Sequence, residues 1–473
     1  MIKQLFTLLL GSFLSVAVCA QTQLSKETQS YVTHPRGLYV LQNATIVDGT
    51  GVAAQTDQDI IINGEIIEAI GENLKVPEGA TILDMTGKSI MPGMVMLHEH
   101  LFYPKATPGG TFGVSQMSYS FPKLYLAGGV TTMRTAGSIM PQADINLKNF
   151  ILEGKVPGPK IDATSPFLDR DGLGILETYS LKSTKQAIEA VKFYADMGST
   201  SFKVYNYITR ADLKAITETA HSRGFKVTGH LCSITHREAA DLGIDNLEHG
   251  FMASSDFIDN KTPDECEPFK QHKSLLDLPV DSPKMEALIE HLVKKNVAVT
   301  STINVFEPYT GREVVPGGGL KALYQDARDK VYRRWASKQN RDSLDYVLFN
   351  KSKVWEKAFH DAGGLLVAGT DPTYDGRIVA GYANMRLLEI FVEMGFSIPE
   401  AIKICTMNGA TYLEQADSIG SIAPTKIADL LILNGDISKD IKAIRNIETT
   451  FRNGIGYSSE KLFRAADGKV GVR

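Results

Sequence analysis

Two histidines with one residue between them, His98 and His100, close the apolar run MVMLHEH. On an extended strand, residues two apart share a face. Both imidazoles can therefore aim at one point, as a metal site requires. The helical zinc pattern HExxH is not present, because position 102 is Phe. Further along, Lys203 lies in SFKVY, His230 ends VTGH, Glu248 and His249 end DNLEHG, and Asp371 lies in GTDP. These are nitrogen and oxygen groups suited to divalent cations and to proton transfer. Each alone has an ordinary reading. A strand-end histidine is commonly a hydrogen-bonded structural residue, a lysine can snorkel from a strand, and an aspartate can cap a turn. What argues for chemistry is their shared placement.

That placement comes from the elements around them. Between residues 92 and 417, short apolar runs alternate with longer stretches of helical spacing. The strand candidates are 94–100, 129–137, 160–165, 200–206, 225–231, 244–250, 297–303 and 365–371. Helical candidates such as TKQAIEAVKFYADMG, TRADLKAITETAHSRG, SPKMEALIEHLVKKN and NKSKVWEKAFHDAGG end near Gly or Asn, as helix C-termini do. The alternation predicts an α/β fold, a (β/α)8 TIM-type barrel over 92–417, with an open doubly wound sheet as the alternative. In a barrel the strand C-termini share one face, where active sites lie, and His98, His100, Lys203, His230, His249 and Asp371 all fall at that end. Short alternating strands over 36–91 and again over 418–473 predict one composite β-sandwich domain built from both ends of the chain. The GKS at 87–89 is no P-loop, because position 82 is Ile. Phe251–Pro283 and Glu307–Leu320 read as long loops over the strand ends.

Composition narrows the function classes. The 473 residues are 43% hydrophobic and 22% charged with a net charge of −4, which is globular and gives no basic surface for nucleic acid. The N-terminus carries a lysine, an apolar stretch from Leu5 to Val18, and then Cys19-Ala20. It reads as a signal peptide over 1–20 cleaved after Ala20, which sends the protein to the periplasm or outside the cell. A lipoprotein cut before Cys19 is the minor reading, since Val18 is bulky for that position. The apolar stretch is too short to span a bilayer, and no other stretch would. Without Cys19, the cysteines are Cys232, Cys266 and Cys405, which is not a disulfide framework. Whether two of them pair stays open.

Together the pieces PGMVMLHEH, GVTTMRTAG, SFKVY, VTGH, DNLEHG, GTDP and IGSIAPTKIADLLILNGD resemble the amidohydrolase superfamily of metal-dependent hydrolases, over about residues 40 to 436. The resemblance implies two divalent metal ions, zinc first among them, although the same donors suit manganese or cobalt. His98, His100 and Asp371 would hold one ion, and His230 and His249 the other. Lys203, as N6-carboxylysine, would bridge them. It also implies attack by a metal-bridging hydroxide, with Asp371 as general base and then general acid. The nearest group is the imidazolonepropionase-like one, with prolidase-like dipeptidases (Xaa-Pro and Xaa-Arg) and ochratoxinase-type amidases. Deaminases of the superfamily carry a glutamate three residues after the strand-five histidine; here that residue is Ser233. The group's dipeptidases often carry a tyrosine two residues after it, where Cys232 stands.

Substrate contacts are expected from Arg134, which closes the second strand, and from Tyr205, on the same strand face as Lys203. Glu307 is read as a solvated loop charge. His34, His221, His236, His272, His291 and His360 are read as surface or packing residues. The function expected is an exported metal-dependent hydrolase of an amide, dipeptide or cyclic amide, a small-molecule enzyme without nucleic-acid or membrane partners and compatible with self-association. Two alternatives are a mononuclear deaminase or imidazolone-type hydrolase and a non-catalytic periplasmic binding protein.

Overall fold

The structure is a computed structural model that describes residues 23–106, 111–312, 314–315, 318–338, 344–372 and 377–471. The signal peptide expected over 1–20 lies outside the described residues. The chain is an α/β protein with two parallel sheets. Met94–Glu99, Val130–Thr135 and Lys160–Asp162 form a sheet of three strands. Thr164–Leu168, Ser201–Val204, Lys226–Gly229, Asn246–Glu248, Ala298–Ser301 and Leu366–Ala368 form a sheet of six, paired in sequence order. The first strand, MVMLHE, is buried along its whole length, as strands covered on both faces are.

Two local links join the sheets. Only residue 163 separates Lys160–Asp162 from Thr164–Leu168. At the other edge the amides of Thr370 and Asp371 donate to the carbonyl of His98 at 3.0 and 2.9 Å. Gly369 permits that approach: a Cβ there would lie 2.3 Å from the His98 Cβ. The chain just beyond the last parallel strand is thus fastened to the first, next to the HxH pair.

Helices cover the strands where the spacing predicts them. Thr184–Met197 starts with the Ser183 hydroxyl accepting from the Gln186 amide and stops at Gly198, whose φ of 119° ends the helix. Arg210–His221 has a Thr209 cap, and His236–Asp241 a capping box of Thr235 and Glu238. Two loop expectations change. Phe251–Pro283 contains a helix, Pro268–Asp277, which buries Leu275. Its polar composition hides the helical period. Glu307–Thr310 forms a single 3-10 turn. A hairpin of Phe102–Ala106 and Phe112–Gln116, absent from the strand candidates, follows the HxH pair directly. Cys232 and Cys266 form a disulfide that ties the 251–283 excursion to the chain just after His230, and Cys405 is a buried free thiol.

The strands near both ends of the chain form one mixed sheet of nine. Its seam is the antiparallel pairing of Leu430–Asn434 with Lys88–Pro92. Leu41, Ile60, Ile62, Ile90, Leu430 and Phe451 fill its core. Lys88–Pro92 leads directly into Met94, so this sheet anchors the strand that carries His98. Among the described residues, no helix is long and apolar enough to cross a membrane.

Gly369→Ala forces a methyl group against His98 Cβ and backbone. We expect a loss of about 1–3 kcal/mol in urea unfolding, together with reduced metal uptake measured by plasma mass spectrometry.

Candidate metal centre and active site

The sequence-predicted donors converge. His98 Nε2 lies 3.7 Å and His100 Nε2 3.0 Å from Asp371 Oδ1. One ligand atom from each of these three buried residues falls within 4.8 Å of the others, a group that could hold a metal ion. His249 sits beside them, its ring centre 4.6 Å from that of His98 and 4.3 Å from that of His230. Lys203 is fully buried on the neighbouring strand. His249 and Asp371 adopt φ values of 67° and 50°. Positive φ is uncommon for residues other than glycine and tends to collect at functional sites. The chain can make that turn at His249 because Gly250 follows; a Cβ at 250 would lie 2.1 Å from Glu356 Oε1.

Electrostatics suit a cation. Burial lowers His98 to about 4 and His249 to about 3, and holds His230 well below its usual value. All three imidazoles are therefore neutral near pH 7, with a nitrogen lone pair to offer. Burial alone would raise Asp371, but the hydrogen bond from His100 and the neighbouring histidines outweigh it and hold the carboxylate below its usual range. Burial lowers Lys203 to about 8, with Glu248 opposing and Arg134 reinforcing the fall. The Lys203 Nζ, His100 Nδ1 and His230 Nδ1 are buried without hydrogen-bond partners. Neutral imidazoles, an ionised carboxylate and polar atoms without partners fit a divalent metal centre.

The supporting groups are as specific as the donors. Glu248, fully buried, accepts from His98 Nδ1 at 2.7 Å and from Arg134 Nη2 at 2.8 Å, and also from the Thr228 hydroxyl. A carboxylate on Nδ1 fixes the ring so that Nε2 faces the centre, the usual outer partner of a ligating histidine. His249 Nδ1 lies 2.7 Å from the Thr302 hydroxyl. Glu99 accepts from the Thr370 amide at 3.1 Å and from Asn384 Nδ2 at 2.9 Å, which steadies the turn that carries Asp371. Burial raises the Glu99 carboxyl to about 8 in spite of these bonds.

Two expectations need correction. Arg134 is 0% exposed, donates from Nε to the Leu97 carbonyl at 2.9 Å, and binds Asn246 and Glu248. It lies beneath the site rather than in the cavity wall, where the buried Glu248 requires a counter-ion. Glu307 is also buried and holds Arg386 at 2.7 Å and Arg312 at 3.0 Å, so it is no solvated charge.

Over the donors opens a cavity of about 400 Å³. Phe102, Phe112, Phe167, Met252, Phe306 and Leu348 are among the apolar side chains of its wall. Tyr205 lines it as expected, packed 4.4 Å from Phe167 and 4.7 Å from His230 between ring centres. His272, read as a packing residue, stands in the wall, as does Tyr309. The location of His272 in the long 251–283 excursion was the available signal.

The sequence model of the amidohydrolase family matches residues 89–456. A dihydroorotase of Streptomyces coelicolor is 32% identical over 114 residues, which are 21% of this chain and 26% of that protein. The chain thus spans about a quarter of that relative's length. A solved Xaa-Pro dipeptidase with bound methionine superposes with a TM-score of 0.65 at 17% identity, covering 89% of this chain and 100% of that one. The ochratoxinase of A. niger superposes with a TM-score of 0.63 at 16% identity, covering 90% and 96%. At these identities the likeness is one of fold.

Two substitutions separate the roles. Lys203→Ala should lower the metal bound per chain, read by plasma mass spectrometry; unchanged content would leave the centre independent of Lys203. Arg134→Met should cost about 3–5 kcal/mol in chemical unfolding, because Glu248 stays buried without its partner. A rise in KM at unchanged stability would instead restore Arg134 as a substrate contact.

Proposed function

Because this chain belongs to the amidohydrolase family, whose members hydrolyse carbon–nitrogen bonds, we propose that it cleaves the amide bond of a small substrate with a bulky apolar group. The carrying observation is the convergence of His98, His100 and Asp371, beside His230, His249 and Lys203, beneath a largely apolar cavity. The architecture proposed is a (β/α)8 barrel, supported by the hydrogen bonds from Thr370 and Asp371 to the first parallel strand. His98, His100 and Asp371 would hold one divalent ion, and His230, His249 and a carboxylated Lys203 a second, with zinc the ion proposed. Such ions supply a water acidic enough to ionise near neutral pH and a Lewis acid for the carbonyl.

The chain's own groups do the rest. Asp371 is anionic and can take a proton on its carboxylate, hold it, and return it to the leaving nitrogen. Glu248 holds His98 in one orientation. Tyr205 and the phenylalanines exclude water and seat the apolar group. The desolvated Lys203 amine, lowered to about 8, is neutral often enough to take up carbon dioxide and become the anionic carbamate.

Export remains part of the reading. The leader at 1–20 supports it, as does the Cys232–Cys266 disulfide, a bond that persists in oxidising compartments. A one-ion hydrolase is the second reading. Its support is that, among the described residues, the one group of three or more His, Cys, Asp or Glu side chains with ligand atoms all within 4.8 Å of one another is His98, His100 and Asp371. Ser233, three residues after His230, speaks against its deaminase form.

The test is metal content and turnover together, on the mature chain loaded with zinc and bicarbonate. We expect close to two ions per chain and hydrolysis of N-acyl aromatic amino acids or their amides that chelation abolishes. Asp371→Asn should lower kcat about 10²–10⁴-fold, the usual contribution of a proton-transferring group. One ion per chain with turnover would select the mononuclear reading, and ligand binding without turnover across the panel the binding protein.

A further inference from the structure

Arg377 follows the Asp371 turn and is only 8% exposed. Its Nη2 donates to the Tyr309 hydroxyl at 2.6 Å, and its guanidinium carbon lies 4.1 Å from the Tyr309 ring centre. Its Nε is buried without a hydrogen-bond partner. Among the described residues, no carboxylate pairs with it. Two other arginines buried as deeply hold carboxylates, Arg134 with Glu248 and Arg386 with Glu307 and Glu389, whereas Arg452 shares with Arg377 a buried Nε without a partner. A guanidinium has five donors and no acceptor. Taking one out of water against a single neutral phenol leaves most of its desolvation uncompensated.

The group does not face solid protein. With Pro308, Val314, Val331 and Trp335 it lines a second cavity, of about 260 Å³. Trp335 spends its indole N–H on the Arg312 carbonyl at 2.8 Å, so the indole serves this cavity as a wall and not as a donor. Tyr309 lines both this cavity and the one over the metal centre, as their shared partition.

We propose that this second cavity is an anion subsite, in which Arg377 takes a carboxylate or another oxyanion against the partition formed by Tyr309. The Nε–H and one Nη2–H bond point the same way along one edge of the guanidinium. That edge accepts the two oxygens of a carboxylate side by side. Tyr309 takes the Nη2 half, and the Nε half is buried without a partner, so a carboxylate would displace the phenol hydroxyl to use both. The rest of the lining is mixed, with Pro308, Val314 and Val331 beside Arg334 and Ser337, so a second guanidinium adds positive charge to the same cavity. The anion has two sources: the free carboxylate of a substrate whose apolar part lies in the larger cavity, or a separate small anion bound beside it. The subsite stands on Arg377 and its cavity; only its use by substrate rests on the amide-hydrolase reading.

Calorimetric titration of the metal-loaded mature chain tests it. The probes are acetate, inorganic phosphate, N-acetyl-L-phenylalanine and the primary amide of the last. We expect Arg377→Gln to weaken acetate or phosphate binding at least tenfold, apart from any binding at the metal centre, which the substitution leaves in place. If the wild type prefers the acid to its amide by tenfold or more and Arg377→Gln erases that preference, the anion is the substrate's carboxylate. If only acetate and phosphate depend on Arg377, the anion is a separate ligand. Equal anion affinities in wild type and a folded Arg377→Gln overturn the subsite, as does a wild type that binds none of the anionic probes. Should Arg377→Gln fail to fold, Arg377→Lys carries the test, because it keeps the charge but loses the side-by-side edge; unchanged affinity there overturns the proposal equally. Failure of the hydrolase reading would show separately, as absent turnover with Arg377-dependent binding intact.

Discussion

The structure turns on one buried carboxylate. Glu248 has no exposure, yet it stays ionised, and everything around it answers that cost. His98, Arg134 and Thr228 give it hydrogen bonds, and Lys203 lies 3.4 Å away. A lone ionised carboxylate at this depth would unfold the site or take a proton. Surrounded in this way, it becomes the fixed point from which His98 is aimed and beneath which Arg134 is stored. The same cluster sets Lys203. Two positive groups, Arg134 and Lys203, press on each other through Glu248, and burial tips the balance toward the neutral amine. A divalent cation nearby would tip it further, so the proposed carbamate relieves a repulsion as well as supplying a ligand.

A second constraint sits at the seam between the last parallel strand and the first. Gly369 lets the backbone approach His98 closely, and Glu99 then grips Thr370 from the opposite face of the first strand. The histidines on either side of Glu99 therefore share a strand with the group that fixes the Asp371 turn. Alternation along one strand divides the labour: His98 and His100 face the donors, and Glu99 faces the support. The left-handed backbone of Asp371 fits this picture, since local strain persists where surrounding bonds over-determine it.

How much of this was legible in the sequence follows from which quantities a sequence carries. Strand ends are local, marked by apolar runs that stop at polar residues, so the positions of His98, His100, His230, His249 and Asp371 could be read directly. Depth is not local. Arg134 ends an apolar run just as Tyr205 does, yet one side chain points beneath the site and the other into the cavity. Their difference lies in Glu248, more than a hundred residues from Arg134 along the chain. Glu307 misled for the same reason, its partners Arg312 and Arg386 being recruited only by folding. The pairing of Cys232 with Cys266 could not be chosen over pairings with Cys405, because spacing does not encode distance across a loop. The cavity wall was the least visible. Phe102, Phe112, His272 and Tyr309 come from a hairpin and excursions whose periodicity is weak, where loop sequence reports flexibility more than position.

The division between legible floor and illegible wall has a chemical counterpart. The floor consists of groups whose identity is fixed by the reaction: neutral nitrogens, an ionised oxygen and a suppressed ammonium. The wall consists of groups whose identity is fixed by what is to be bound, and here it is mostly phenylalanine and aliphatic carbon. An apolar wall around a charged floor does more than seat an apolar substrate. By excluding water it lowers the local dielectric and strengthens each electrostatic contact made below it. That gain has a limit, since a wall without polar groups orients a substrate by shape alone. Tyr205, His272, Asp345 and Tyr309 are polar side chains the described wall offers for direction, and Tyr309 is already engaged by the cation behind it. Orientation of a bound substrate would therefore fall on few groups, set between the buried donor cluster and a buried guanidinium.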